Sequence, residues 1–212
     1  MTKKELAAVC IARLKAEYPA SDCTLDYDHA WQLLVSVRLA AQCTDARVNV
    51  VVQELFARFP GVRELAAASP EEIEAIVKPC GLGHSKARDI SACMRMLRDK
   101  FDCRVPDDFD ALLSLPGVGR KTANVVLSVG FGQPALAVDT HVFRVARRLA
   151  LAFANTADGV EEDLCAIIPA EKWGQAHHWL IWHGRRLCSA QRPKCQACPL
   201  ALLCPSARET RL

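Results

Sequence analysis

Apolar residues recur every three to four positions along most of the chain, which is the period of an amphipathic α-helix. These runs predict helices over residues 31–39, 45–59, 90–97, 109–113, 142–149, 160–167 and 177–183. Capping boxes at Thr2–Glu5 and at Ser69–Glu72, the second with Pro70 at the first helical position, predict two more helix starts. No segment shows the alternation expected of a strand, so the predicted fold class is all-α.

A glycine turn precedes a further helix in the middle of the chain. Gly117 and Gly119 flank Val118, a spacing that predicts positive backbone angles and amides that approach an anion such as a phosphate. Lys121 follows in the first turn of an amphipathic helix over residues 121–130. A lysine there has two interpretations, either a phosphate contact at a helix N-terminus or a nucleophilic amine.

Asp139 and Lys86 are two further polar residues that the sequence places next to predicted helix starts or turns. Thr140 is predicted to cap a helix starting at Val142, so Asp139 would lie just outside a helix N-terminus, where a carboxylate is favoured. The segment CGLGHSKARDI, residues 80–90, repeats the glycine-x-glycine spacing and places Lys86 shortly after it. This segment is interpreted either as a second backbone clamp or as a helix connection.

Charge is distributed unevenly although the total is small. The chain has 212 residues with 27 basic and 24 acidic side chains, a formal net charge of +3. No acidic residue occurs over 120–137, 141–157 or 180–208, and these runs surround or follow the glycine turn. A solvated face would explain one such run, whereas three favour a polyanionic partner.

The sequence shows no signal peptide and no membrane span, because charged residues interrupt each apolar run, and it therefore predicts a cytoplasmic protein. Of the eleven cysteines, the seven from Cys10 to Cys165 are scattered, mostly among apolar neighbours. They are predicted to be small, reduced core residues. Three histidines near residue 180, His177, His178 and His183, are likewise predicted to pack in the core rather than to bind metal.

The last four cysteines form a different pattern, C-x6-C-x2-C-x5-C, interrupted by prolines that indicate a loop. Four thiolates this close in sequence can hold either a structural zinc ion or an iron–sulfur cluster. A single short C-x2-C pair favours the iron–sulfur cluster slightly, and a disulfide is a weaker third option. The candidate ligands are Cys188, Cys195, Cys198 and Cys204.

Several motifs together resemble one known family. LPGVGRKTANVVLSVGFG followed by AVDTHVFRVARRL, residues 115–132 and 137–149, is similar to the helix-hairpin-helix glycosylase motif with its trailing aspartate. The terminal cysteine spacing resembles that of the endonuclease III family. AAQCTDARVN over 40–49, CGLGHSKARDI, and HHWLIWHGRRLC over 177–188 match the same family in order, so the resemblance covers nearly the whole chain.

The resemblance implies a two-domain fold and a cofactor. A six-helix domain containing the helix-hairpin-helix would span residues 23–133. Residues 1–22 and 134–212 would form the second domain around a [4Fe–4S] cluster held by the four terminal cysteines. The expected partner is double-stranded DNA containing damaged bases or abasic sites, bound by a monomer without any membrane.

The resemblance also implies a base excision repair activity on oxidised pyrimidines such as thymine glycol. Lys121 would attack C1′ of a flipped nucleotide, displace the base and form a Schiff base that permits β-elimination 3′ to the abasic site. Asp139 would stabilise positive charge on the sugar. An adenine-mismatch glycosylase is a near alternative, but its members lack this lysine; a non-catalytic DNA-binding or redox module is a more distant one.

By similarity, further residues would contact DNA. Gln42 would enter beside the orphaned base, and Leu82 would wedge between base pairs. Asp45 and Arg185 would lie near the damaged base, and the amides of Gly117, Val118 and Gly119 would bind phosphate. The sequence departs from the family at Ala40, where serine is common, and this places the substrate range in question.

Overall fold

The computed structural model describes residues 1–209, with side chains to residue 207. No strand occurs in this range, which confirms the predicted all-α class. The helices are α1 (Lys3–Glu17), α2 (Ala30–Leu39), α3 (Asp45–Arg58), α4 (Val62–Ala67), α5 (Pro70–Val77), α6 (Gly83–Lys100), α7 (Phe109–Leu113), α8 (Arg120–Val125), α9 (Thr140–Arg148), α10 (Ala157–Cys165), α11 (Trp173–Arg186) and α12 (Pro205–Glu209). None of the described helices is long and apolar enough to cross a membrane.

Both predicted capping boxes are formed. The Thr2 hydroxyl accepts from the Glu5 amide at 3.2 Å, and the Glu5 carboxylate accepts from the Thr2 amide at 2.7 Å. Ser69 and Glu72 make the same reciprocal pair at the start of α5. Each box satisfies amides that the first helical turn would leave unpaired, which explains why these two helix starts were predictable.

Helix lengths differ from the prediction where polar turns extend an apolar stretch. The helix predicted over 90–97 is α6 and begins at Gly83, so Lys86 lies on a helix rather than in a loop. The helix predicted over 177–183 is α11 and runs from Trp173 to Arg186. The helix predicted to carry Lys121 in its first turn consists of α8, which begins at Arg120, followed by a π-helical turn over Val126–Gly130. Apolar periodicity marks only the part of a helix that faces a core.

The chain divides into two compact units. The central unit is Thr24–Gly132, and the terminal unit joins Met1–Cys23 to Gln133–Leu212. The core of the central unit contains α2, a helix in which nearly every residue is buried. The core of the terminal unit brings together apolar side chains of α1, α9, α10 and α11.

The scattered cysteines are only partly core residues. Cys10, Cys80 and Cys93 are buried, as predicted. Burial raises the pKa of Cys93 to about 12, because a thiolate loses its hydration there. The prediction is wrong for the partly exposed Cys23, Cys43 and Cys103, which lie in loops. Cys165, at the end of α10, is partly exposed but packs against the core of the terminal unit.

Candidate functional site

The glycine turn joins α7 to α8 in the central unit. The Val118 amide donates to the Leu115 carbonyl at 3.1 Å. Gly117 has a φ of 75°, whereas Gly119 is extended, with a φ of −101°, as the N-cap of α8. The prediction of positive angles is therefore confirmed for Gly117 and wrong for Gly119, because the chain reverses at the first glycine only.

Gly117 packs against a partly buried ion pair of the central unit. A β-carbon at this position would lie 2.7 Å from Cβ of Asp89 and 3.1 Å from Nε of Arg38. Arg38 donates to the Asp89 carboxylate from both Nε, at 2.9 Å, and Nη2. The Arg38–Asp89 ion pair therefore packs directly against Gly117, and a side chain at this position would displace the pair.

The other side of the turn is open. A β-carbon on Gly119 would meet no atom within 4 Å. Lys121 is exposed in the first turn of α8. The Arg120 guanidinium lies over the Phe109 ring, 5.1 Å from its centroid, and connects the two helices of the hairpin. The turn therefore presents an open backbone and an amine side by side.

The two residues predicted to occupy the space left by a flipped nucleotide, Gln42 and Leu82, share an unusual backbone conformation. Gln42 has a φ of 55° and Leu82 a φ of 51°, both in the left-handed region. Gln42 is exposed, and Leu82 is 56% exposed despite its apolar side chain. Left-handed conformations cost free energy in residues with a β-carbon and cluster at functional sites.

Asp45 and Lys86 lie in the same unit. Asp45 begins α3, and its Oδ2 accepts from the Thr24 hydroxyl at 2.6 Å. Lys86 is fully buried, and its ammonium donates to the carbonyls of Leu39 and Cys80. The interpretation of Lys86 as part of a second phosphate clamp is therefore wrong, because its charge is inside the protein.

Asp139 belongs to the terminal unit and caps α9. Its Oδ1 accepts from the amides of His141 and Val142, each at 2.8 Å. The prediction that Thr140 caps this helix is wrong, since α9 begins at Thr140 itself. The carboxylate reaches the second and third amides of the helix more easily than the shorter hydroxyl would from the next position.

Helix α11 carries Arg185 and the three histidines. Arg185 is exposed near the end of the helix. His177, His178 and His183 are buried, which confirms their predicted core packing. Burial lowers the pKa of His183 to about 4 and also lowers the pKa of His178.

The four terminal cysteines line one cavity of about 310 Å³ in the terminal unit. Hydrogen-bond donors lie beside two of the four sulfurs, whereas the Cys204 thiol donates to the Arg148 carbonyl at 3.2 Å. Arg148 donates to Sγ of Cys188 at 3.3 Å, the Leu200 amide donates to Sγ of Cys198 at 3.4 Å, and His183 Nε2 lies 3.5 Å from the same sulfur. Among the described residues, no three His, Cys, Asp or Glu side chains converge closely enough to hold one metal ion.

Comparison with known proteins now identifies the fold family. The family model described as "HhH-GPD superfamily base excision DNA repair protein" matches residues 35–170. Endonuclease III of Synechocystis is 44% identical over 98% of this chain and 95% of its own length. Endonuclease III of Bacillus subtilis is 43% identical over 92% of this chain and 90% of its own length. The chain belongs to the endonuclease III family.

A solved structure agrees with this assignment. A trapped endonuclease III–DNA covalent intermediate, in its estranged-adenine complex, matches with a TM-score of 0.95 and 43% identity and covers all of both chains. Family membership therefore rests on sequence and on fold, over the whole length of the chain.

Two arginines that the sequence pattern did not single out, Arg144 and Arg148, bind the cysteine loop. Arg144 donates to the carbonyls of Gly184 and Cys188, and Arg148 donates to Ser189 and Ala190, so α9 holds the start of the cysteine loop. The only sequence signal was an arginine repeated at the helical spacing of four. That signal does not say which carbonyls the arginines reach.

Proposed function

We propose that this protein is a bifunctional DNA glycosylase and abasic-site lyase that removes oxidised pyrimidines, such as thymine glycol, from duplex DNA in base excision repair. The observation that carries the proposal is an exposed lysine directly after the glycine turn. The chain is also 43% identical to an endonuclease III that forms a covalent intermediate with DNA. A covalent intermediate requires a nucleophile, and Lys121 is the amine in the matching motif.

The reaction uses the nitrogen lone pair of Lys121 as the nucleophile. The amine attacks C1′ of a flipped nucleotide, and the base departs with the electrons of the C1′–N bond. The C1′–O4′ bond then breaks as a proton passes from the nitrogen to O4′, which leaves a protonated Schiff base between C1′ and Nζ. Transfer of a C2′ proton to solvent gives an enamine, and its electrons form a C2′=C3′ double bond as the C3′–O bond breaks and the phosphate leaves. These steps cleave the strand 3′ to the lesion by β-elimination.

Asp139 would oppose the positive charge that develops on the sugar as the base departs. Two amides hold its Oδ1, so the carboxylate keeps one orientation without help from the substrate. A fixed negative group of this kind stabilises a cationic transition state at little reorganisation cost. The capping role and the catalytic role therefore use the same geometry.

Exposure and backbone shape support the DNA contacts that we propose. Gly117 and Gly119 would bring their amides to a phosphate, whereas the Val118 amide already donates to Leu115 and contributes through the shape of the turn. Gln42 and Leu82 would fill the space left by the flipped nucleotide. Asp45 and Arg185 would lie near the damaged base, and Ala40, next to the Gln42 loop, would influence which bases are accepted.

The cysteine cavity fits a [4Fe–4S] cluster better than a zinc ion. Zinc needs its four sulfur ligands at about 2.3 Å from one point. Here the four thiols surround a cavity, and a guanidinium and an amide donate to the sulfurs of Cys188 and Cys198, as suits a group with several negative thiolates. The cluster would hold Cys188, Cys195, Cys198 and Cys204 together and fix the exposed loop that carries Arg192 and Lys194 for DNA phosphates.

Strand cleavage of duplexes containing one thymine glycol or one abasic site tests the function. We expect wild type and Lys100→Gln, an exposed lysine on α6, to cleave both substrates. Lys121→Gln should cleave neither while still binding them. Binding without cleavage by wild type would favour the non-catalytic module. Release of adenine from a mismatch without strand cleavage would favour the mismatch glycosylase.

Metal analysis tests the cofactor separately. The purified protein should be brown, should absorb blue light and should contain about four irons per chain, because four thiolates would hold a [4Fe–4S] cluster. Stoichiometric zinc without iron would contradict the cluster and leave the lysine chemistry untouched. The two proposals therefore fail independently.

A further inference from the structure

Lys86 is a buried ammonium in the central unit that the glycosylase chemistry does not use. Its exposed fraction is 0%, and its Nζ donates to the carbonyls of Leu39 and Cys80, each at 2.8 Å. Burial lowers the pKa of Lys86, the Arg38 guanidinium lowers it too, and the nearby Cys80 and Cys43 thiols raise it. Burial of a charge costs desolvation free energy. The Lys86 ammonium therefore needs a function that an apolar side chain could not perform.

The two carbonyls that Lys86 holds are the ends of two helical segments. Leu39 is the last residue of α2, and Cys80 is the last residue of the 3-10 turn Lys78–Cys80. Carbonyls at helix ends lack partners within the helix, and a cation is favoured there. The Lys86 amide also donates to the Leu82 carbonyl at 3.0 Å. Lys86 therefore binds the backbone on both sides of Gly81, at Cys80 and at Leu82.

Each of these segments leads directly into one of the strained, exposed residues. Gln42 follows Leu39 by three positions, and Leu82 follows Cys80 by two. Both have positive φ, a conformation that persists only where the surrounding structure enforces it. Lys86 is the side chain that binds the backbone of both loops, 47 and 6 residues away in sequence.

We infer that Lys86 is a positioning residue. It fixes the Gln42 loop, between α2 and α3, relative to the Leu82 loop, between the Lys78–Cys80 turn and α6, before DNA binds. The inference rests on the proposed function, in which these side chains occupy the space left by a flipped nucleotide. With the loops already in place, ordering them costs no binding free energy when the lesion is engaged. Lys86 therefore contributes to recognition of a lesion, and not to attack on the sugar.

Lys86→Met tests the inference, because methionine fills most of the lysine volume and donates no hydrogen bond. We expect about tenfold weaker binding of a duplex with a tetrahydrofuran abasic analogue, which corresponds to about 1.4 kcal/mol. Binding of undamaged duplex should be unchanged, and borohydride trapping at saturating abasic DNA should proceed at nearly the wild-type rate. Lys100→Met, at the exposed end of the same helix, is the matched control and should behave as wild type.

A double-mutant cycle separates positioning from general destabilisation. In a Gln42→Ala/Leu82→Ala background, Lys86→Met should cause no further loss of affinity for the tetrahydrofuran duplex. A loss of equal size in both backgrounds, or wild-type affinity in the single variant, would overturn the inference. Lys86→Gln, which keeps two N–H donors on a shorter chain, repeats the cycle if Lys86→Met does not fold. Failure of wild type to form any borohydride adduct would instead refute the proposed function.

Discussion

Gly117→Ala is the substitution whose effect the structure specifies most fully. The new methyl group would occupy a residue with a φ of 75° and would lie 2.7 Å from Cβ of Asp89. The left-handed backbone costs a residue with a β-carbon about 1–2 kcal/mol. Displacing Asp89 and its Arg38 partner is an overpacking change that costs about 1–3 kcal/mol. The total loss of unfolding free energy is therefore about 2–5 kcal/mol.

Thermal unfolding followed by circular dichroism measures this loss without any DNA. In a chain of this size, a change of 1 kcal/mol moves Tm by about 2–4 °C. We expect Gly117→Ala to lower Tm by roughly 4–20 °C when the variant is compared with wild type in the same buffer and with the same metal content.

Gly119→Ala is the matched control, two residues away in the same turn. Its φ of −101° suits any residue, and the new β-carbon would meet no atom within 4 Å. The gain from a stiffer unfolded chain is about 0.4–1 kcal/mol, and a small loss at the helix N-cap offsets part of it. Tm should therefore stay within about 3 °C of wild type. Equal destabilisation by the two substitutions would refute the reasoning that the turn has one packed and one open side.

Three further predictions concern the terminal unit and the thiols. Asp139→Asn keeps a capping oxygen and should leave Tm nearly unchanged while slowing thymine glycol release about 100-fold. Release at the wild-type rate would contradict the role of the carboxylate. Arg148→Met removes the donor to Sγ of Cys188 and should speed the loss of visible absorbance in the presence of an iron chelator; an unchanged rate would show that the guanidinium does not hold the loop. Burial raises the pKa of Cys93 to about 12, so iodoacetamide at pH 8 should modify the partly exposed Cys23 first and Cys93 only on unfolding, as peptide mass mapping can check.

The sequence predicted those features that depend on neighbours along the chain. The capping boxes at Thr2 and Ser69, the glycine turn and the cysteine spacing are local patterns, and each is recognisable because the interacting groups are a few residues apart. The all-α class follows in the same way from apolar periodicity. The family resemblance then supplied roles that no local pattern carries.

The features that the sequence could not predict depend on distant backbone. The glycine-x-glycine spacing before Lys86 is compatible with a second backbone clamp or with a helix connection, and only the fold brings the Leu39 carbonyl, 47 residues away, to the Lys86 ammonium. The positive φ of Gln42 and Leu82 has no compositional signal, since neither residue favours that conformation. Asp139 and Thr140 are both residue types that commonly cap a helix N-terminus, and in the folded chain Asp139 is the N-cap of α9.

Identification of the amino acid that becomes attached to DNA tests the central claim most directly. Wild-type protein would be incubated with a duplex containing one abasic site in the presence of borohydride, and the digested adduct would be mapped by mass spectrometry. We predict that the deoxyribose fragment is on Lys121, and that Lys121→Gln gives no adduct under conditions where it still binds the duplex. An adduct on another residue, or undiminished trapping by Lys121→Gln, would contradict the account.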